Sequence, residues 1–229
     1  MSLRRSSTHS LDLVVKRGLD IALAAVGLCL LAIPMAAIAV WVRNGSAGPA
    51  FFVQQRLGRY GNTFGILKFR TMTTDGAAWE SNNHITVGDD PRITAAGRVL
   101  RRYKLDELPQ LLNVLRGDMS LVGPRPEVPQ YLEYYTPEQR ETVFSVRPGI
   151  TDPVSLHLSD EASLLAAADD PLNYYAHVIL PWKIAGQIAY IERRSTWTDM
   201  AIIGRTIVRA LGYTLGDNDD IPATPKRAS

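Results

Sequence analysis

Between Ile21 and Val42 the chain runs for 22 residues without a charged side chain. As a straight helix this run is ~33 Å long, enough to cross the hydrocarbon of a bilayer, where a backbone must satisfy its polar groups internally. Arg4, Arg5, Lys16 and Arg17 precede it, as they would in a secretory signal peptide. The run is longer than a usual signal core, however, and Trp41-Val42-Arg43-Asn44 lacks the small residues of a cleavage site, so a retained anchor is expected. Pro34, near the middle, has no N–H to donate and its ring crowds the carbonyl of Leu30, which predicts a helix-break-helix. Lys16 and Arg17 before the run and Arg43, Arg56 and Arg59 after it place positive charge on both flanks. The positive-inside tendency then favours a hairpin that dips into the bilayer and returns, although the residues alone leave a spanning helix open.

The rest of the chain reads as one ordinary domain. Of the 229 residues 46% are hydrophobic, enough for one core beside the membrane element. The formal net charge of +2 supplies no global field, so no nucleic-acid partner is expected and any anion site must come from clustered arginines. A single cysteine, Cys29, excludes an intrachain disulfide, and the four scattered histidines give no zinc-ligand spacing. Residues 51–56 and 64–70 are predicted as a hairpin around a 58–62 turn, 71–92 as a polar loop, and 94–103 as a helix. In Leu105-Asp106-Glu107-Leu108-Pro109-Gln110 and the residues after it, leucines recur at helical spacing, with Asp106 expected to cap the helix and Gly117 to end it. Thr136-Pro137-Glu138-Gln139 is a capping-box start, 182–193 and 199–211 read as amphipathic helices, and 217–229 has the composition of a disordered tail. The expected class is α+β, mostly helical. Its predicted divisions are a flexible N-terminus at 1–15, a membrane hairpin at 16–45, a catalytic domain at 46–212 and a tail at 213–229.

The chemistry-bearing residues cluster in order. Arg98, Arg101, Arg102 and Lys104 lead into Asp106 and Glu107; Gly123-Pro124-Arg125-Pro126 and Arg147-Pro148-Gly149 follow. Carboxylates among phosphate-binding arginines make sense when a divalent cation bridges acid and phosphate, which otherwise repel. A helix starting at Asp106 would add free N–H groups for a phosphoryl group. Each feature also has an ordinary structural explanation: an Asp-Glu pair usually caps a helix, Gly-Pro and Pro-Gly steps are usually turns, and Lys68 and Arg70 would usually face outward from a strand. Their combination behind an anchor favours diphosphate chemistry.

At these residues the chain resembles the monotopic phosphoglycosyl transferases, bacterial sugar transferases. The likeness runs from Lys16-Arg17-Gly18-Leu19-Asp20 through Gln55-Arg56-Leu57-Gly58, Lys68-Phe69-Arg70-Thr71-Met72, the Asp106-Glu107 motif, Asn113 to Ser120, Val122 to Pro126 and Arg147 to Thr151, reaching about Leu211. The resemblance implies a re-entrant hairpin at Pro34 and a catalytic domain on the cytoplasmic face of the bacterial inner membrane. It implies transfer of a sugar 1-phosphate from a UDP-sugar to polyprenol phosphate, with UMP released and the phosphosugar held on Asp106. Glu107 would act as base or orienting group, Mg2+ would neutralise phosphate charge with Asp106 among its ligands, and Lys68, Arg70, Arg101, Arg125 and Arg147 would bind substrate. Membrane lipid is an expected partner and a homodimer is allowed. After Thr151 the sequence Asp152-Pro153-Val154-Ser155 departs from many relatives, which leaves the sugar unassigned. A non-catalytic, membrane-tethered protein binding nucleotide or anionic lipid is the alternative; it requires Asp106 to be dispensable.

Overall fold

The computed structural model describes residues 3–73, 90–158, 161–210 and 212–213, with side chains from residue 12 onward. The outer part of the predicted 71–92 loop and the 217–229 tail therefore lie outside the described residues.

Helix α1 (Leu3–Gly45) takes in the apolar run and most of the residues expected to form a flexible N-terminus. Its Asp12–Gly45 stretch is long and apolar enough to cross a membrane, and Leu30 and Ile33 are 74% and 83% exposed. The predicted break at Pro34 is not an interruption: the helix continues through it. A proline removes one hydrogen bond and crowds one carbonyl, a local loss that satisfied turns on either side can absorb.

Strands β1 (Phe51–Leu57) and β2 (Thr63–Phe69) form the expected antiparallel hairpin, with Phe52 opposite Lys68 and Arg56 opposite Phe64. Partners across a ladder share a face, so Lys68, Ile66 and Arg56 lie on one side of it. Helix α2 (Ala95–Arg102) starts where Thr94 accepts from the N–H of Gly97, and helix α3 (Gln110–Arg116) stops at Gly117, whose φ of 95° is left-handed. A second strand pair, not foreseen, joins β3 (Ser120–Val122) and β4 (Gly149–Thr151) in parallel. It forms because Gly123 and Gly149 let two backbones touch: a Cβ on Gly149 would lie 2.1 Å from the nitrogen of Gly123. Both segments look like turns in the sequence because their glycines and prolines signal turns more strongly than three-residue strands signal pairing.

The remaining helices are α4 (Pro137–Val143), with the predicted capping box, α5 (Pro153–His157), α6 (Glu161–Ala166), α7 (Pro171–Tyr174), α8 (Leu180–Arg193) and α9 (Thr196–Ala210). Between α7 and α8 the chain widens into a π-turn at Tyr175–Ile179. The main core gathers Leu57, Tyr131, Phe144, Val154, Ile179 and Ile184 between the hairpin and these helices.

Two smaller clusters bind α1 to the domain. Ala24 packs with Ile66, Val114 and Met119, while Val42, Met35 and Ile38 pack with Phe69, Leu100, Leu105 and Leu108. The polar flanks are pinned too. Lys16 donates to Asp199 at 2.5 Å, Asp20 accepts from the N–H of Leu121, and Arg17 donates to the carbonyl of Val114. Both ends of the apolar run thus rest on one body.

Candidate active site

Asp106 and Glu107 do not cap a helix. They occupy a 3-10 turn, Leu105–Glu107, entered through Lys104 at φ 57°, while α3 begins only at Gln110. The N–H groups of Glu107 and Leu108 already donate to the carbonyls of Lys104 and Leu105, so the amides expected to face a phosphoryl group there are spent. The local cause is Pro109: with no N–H of its own it sits at the edge of the regular helix, and the turn before it closes through shorter-range bonds. Leu105 and Leu108, on either side of the dyad, pack on the buried cluster of Val42, Phe69 and Leu100, which Met35, Ile38 and Ala39 of α1 also join. The two acids are therefore held near the α1 end of the apolar run by their own neighbours in sequence.

Both acids are 7% exposed, yet their surroundings differ. Glu107 is clamped. Lys68 donates to its Oε1 at 3.0 Å, and Arg125 grips both oxygens, Nη1 to Oε2 at 3.3 Å and Nη2 to Oε1. Burial opposes its ionisation, but Arg125 and Lys68 together outweigh that and hold its carboxyl well below the usual glutamate range. Glu107 in turn raises Arg125, so this pair is ionised throughout the physiological range. Asp106 makes no hydrogen bond or ion pair among the described residues, and burial, with Glu107 adding repulsion, pushes its carboxyl upward against the pull of Lys68 and Arg101. Burial likewise lowers Lys68, partly countered by Glu107.

Of the residues singled out in the sequence, Lys68, Arg101, Asp106, Glu107 and Arg125 come together. Arg101 donates from Nε to Thr71 Oγ1 at 2.9 Å and bears on Asp106 electrostatically. Arg70 does not join them. It is 2% exposed and is spent on the end of α1 and the loop after it, donating to the carbonyls of Ser46 at 2.9 Å, Ala47 at 2.5 Å and Pro49 at 2.6 Å and to Ser46 Oγ at 2.8 Å. Those carbonyls follow the last turn of a helix and lack helical partners, which an arginine fork can supply. Arg147 also lies elsewhere, its Nε donating to the carbonyl of Gly117 at 2.8 Å.

The sequence reading did not place Arg56 in the site. It donates to the carbonyl of Pro126 at 3.2 Å and stands 3.7 Å from Glu127, which also accepts from the Tyr175 hydroxyl at 2.7 Å. Arg56 thus holds the Gly-Pro-Arg-Pro segment that presents Arg125. The one signal for it was the Gln55-Arg56-Leu57-Gly58 motif, whose Arg56 the hairpin puts on the same face as Lys68. One helical turn on, Gln110 is buried and its amide nitrogen has no partner among the described residues.

The chain is similar to bacterial proteins named as undecaprenyl-phosphate sugar phosphotransferases and as exopolysaccharide production proteins. It is 36% identical over 214 residues to the undecaprenyl-phosphate glucose phosphotransferase of Komagataeibacter xylinus, covering 91% of this chain and 38% of that one. It is 39% identical over 196 residues to the UDP-glucose:undecaprenyl-phosphate glucose-1-phosphate transferase of Caulobacter vibrioides, covering 84% of this chain and 68% of that one. It is 37% identical over 207 residues to the exopolysaccharide production protein PSS of Rhizobium leguminosarum bv. phaseoli, covering 88% of this chain and 97% of that one. The bacterial sugar transferase family matches residues 11–212, which take in the apolar run, the hairpin, the dyad and the arginines around it, and the chain belongs to that family.

Proposed function

We propose that the protein moves a sugar 1-phosphate from a UDP-sugar to membrane polyprenol phosphate, releasing UMP, as the first step in assembling an exopolysaccharide, capsule or other glycoconjugate. The observation that carries this reading is the asymmetry of the dyad: one carboxylate locked in a cationic clamp, its neighbour buried and unpaired. An Asp106 oxygen attacks the sugar-linked phosphorus of the donor, the bond to the bridging oxygen breaks, and UMP leaves with the electron pair. A phosphate oxygen of the polyprenol phosphate then attacks the same phosphorus and frees the Asp106 carboxylate, leaving a polyprenyl diphosphate sugar. Burial supports the first step, because a desolvated carboxylate is a stronger nucleophile than a solvated one, and Lys68 and Arg101 bring positive charge to the phosphoryl group.

Held ionised by two cations, Glu107 is a poor proton acceptor, which favours its orienting role over that of base. It aims Lys68 and Arg125, whose remaining N–H groups are left for phosphate oxygens. Mg2+ fits this donor set: no trio of acidic or histidine side chains stands together among the described residues, but magnesium commonly takes one or two carboxylates plus substrate phosphates, and Asp106 is unpaired. When bound it would neutralise diphosphate charge.

Although α1 stays helical through Pro34, the packing of both its flanks on one domain supports a segment that enters the bilayer without crossing it, since a spanning helix would separate those flanks across the bilayer. Seating the Leu105 and Leu108 turn on α1 would bring Asp106 within reach of a lipid-borne acceptor. The test is UMP release in nanodiscs carrying polyprenol phosphate and magnesium, with a panel of UDP-sugars, for wild type beside Asp106→Asn. Lipid-dependent UMP release lost in the variant is expected. Release of UDP, or full activity in Asp106→Asn, would overturn the reading.

A further inference from the structure

A second concentration of positive charge lies apart from the dyad, in a cleft between α1, the turn after β1, β3, the segment before β4 and the end of α8. Lys16, Arg17, Arg59, Arg147 and Arg194 line it, with Asp20 the one carboxylate among the lining residues described. None of the residues gathered around Asp106 and Glu107 takes part.

Some of this charge is already used. Lys16 is paired with Asp199, and Arg17 caps the end of α3 through the carbonyls of Val114 and Leu115. In hydrogen bonds Arg147 and Arg59 spend only Nε, on Gly117 and Ser145 respectively, and the Arg59 guanidinium also lies 4.5 Å over the Tyr60 ring, so the two Nη groups of each have no hydrogen-bond partner among the described residues. Arg194, at the end of α8, lines the same cleft. Capping of α3 accounts for Arg17 and for one bond of Arg147; it does not account for Arg59 or Arg194. Burial and then the charges of Arg17 and Arg59 work against the charge on Arg147, and Asp20 offsets only part of this. Forked donors lining one cleft suit the oxygens of a phosphate group.

The height of the cleft indicates the source of that phosphate. Leu13, Lys16, Arg17 and Asp20 contribute to it from α1, and the uncharged run starts one residue later at Ile21. If α1 enters the bilayer as proposed above, on which this inference rests, the cleft opens at the level of the headgroups. We propose that Arg59, Arg147 and Arg194 form a binding site for the headgroup phosphate of an anionic phospholipid, separate from the dyad, which fixes how the catalytic domain sits on the membrane.

The test is lipid retention by the full chain in detergent, followed by native mass spectrometry, with phosphatidylglycerol against phosphatidylcholine of the same acyl chains. A basic side chain near a membrane surface contributes about 1 kcal/mol, so Arg59→Gln and Arg194→Gln should each weaken phosphatidylglycerol retention about fivefold and together about 25-fold. In the wild type the preference should fall as salt rises, which checks the charge mechanism without any variant. Equal retention of the two lipids, or a double variant that keeps the wild-type preference, would overturn the proposal. Displacement of the lipid by submillimolar inorganic phosphate or by UDP-sugar would make the cleft a site for a soluble phosphate and overturn the lipid assignment. Because retention is read without turnover, loss of UMP release and loss of lipid preference are separate results, and either proposal can fail alone.

Discussion

Asp106 and Glu107 are adjacent acids with opposite fates, and the difference is set by which cations reach each carboxylate. Asp106 is raised by burial, so its ionised form is disfavoured in the fold; a group of this kind lowers stability as pH climbs from its unfolded value through its folded one. Asp106→Asn should therefore melt above wild type by ~2–4 °C, the shift that about 1 kcal/mol makes in a chain of this size, while losing at least about a thousandfold in UMP release. Differential scanning fluorimetry beside the turnover assay checks both halves; equal melting with lost activity would mean burial is not what shifts the carboxyl. The rate should fall as pH falls through the raised value of Asp106, placing the acid limb of kcat above the range of an ordinary aspartate. Glu107 has the reverse sign: its stabilisation is present above the unfolded glutamate value and is lost only at more acid pH. Glu107→Gln leaves Lys68 and Arg125 facing each other, and urea unfolding should show a loss of about 2 kcal/mol. That is less than for a fully buried pair, because the Arg125 side chain is 34% exposed. A Glu107→Gln protein as stable as wild type would show the clamp to be weak.

Among the elements, the β3–β4 pair and the end of α1 carry tests of their own. A methyl at Gly149 would enter the backbone of Gly123, so Gly149→Ala should cost about 2–3 kcal/mol in chemical denaturation and loosen the Pro124–Arg125 segment that hydrogen-bonds to Gly149. Wild-type stability there would mean that the strands separate at little cost. Arg70→Lys keeps the charge but loses the fork that fills several carbonyls at once; a fall of about 2–3 kcal/mol is expected, and an unchanged unfolding midpoint would sink the capping role. The hairpin, α2, the Gly117 stop and the Thr136 capping box were all legible, because each is written in local spacing and cap chemistry. The role of Arg70 was not, since its partners lie more than twenty residues upstream and strand alternation alone placed it beside Lys68. Arg147 is a similar case: its motif promised a phosphate contact, and the return of β4 beside β3 put it on the far cleft.

For the whole molecule, the seating of both α1 flanks on one body has a direct consequence for topology. Single cysteines at Asp12 and Asn44, both exposed, in a Cys29→Ser background should react with a membrane-impermeant maleimide from the same side of sealed vesicles. Labelling from opposite sides would make α1 a spanning helix and separate Lys16 from Asp199. The sequence by itself determined the long apolar run, the mostly helical class with its hairpin, and a short set of acids and bases suited to phosphate, because hydrophobic runs, caps and charges are properties of neighbouring residues. Only the tertiary structure decided which carboxylate is clamped and which is left unpaired, and which arginines serve the dyad, the end of α1 or the second cleft. Those outcomes depend on desolvation and on donors brought together from distant segments, and neither exists until the chain has packed.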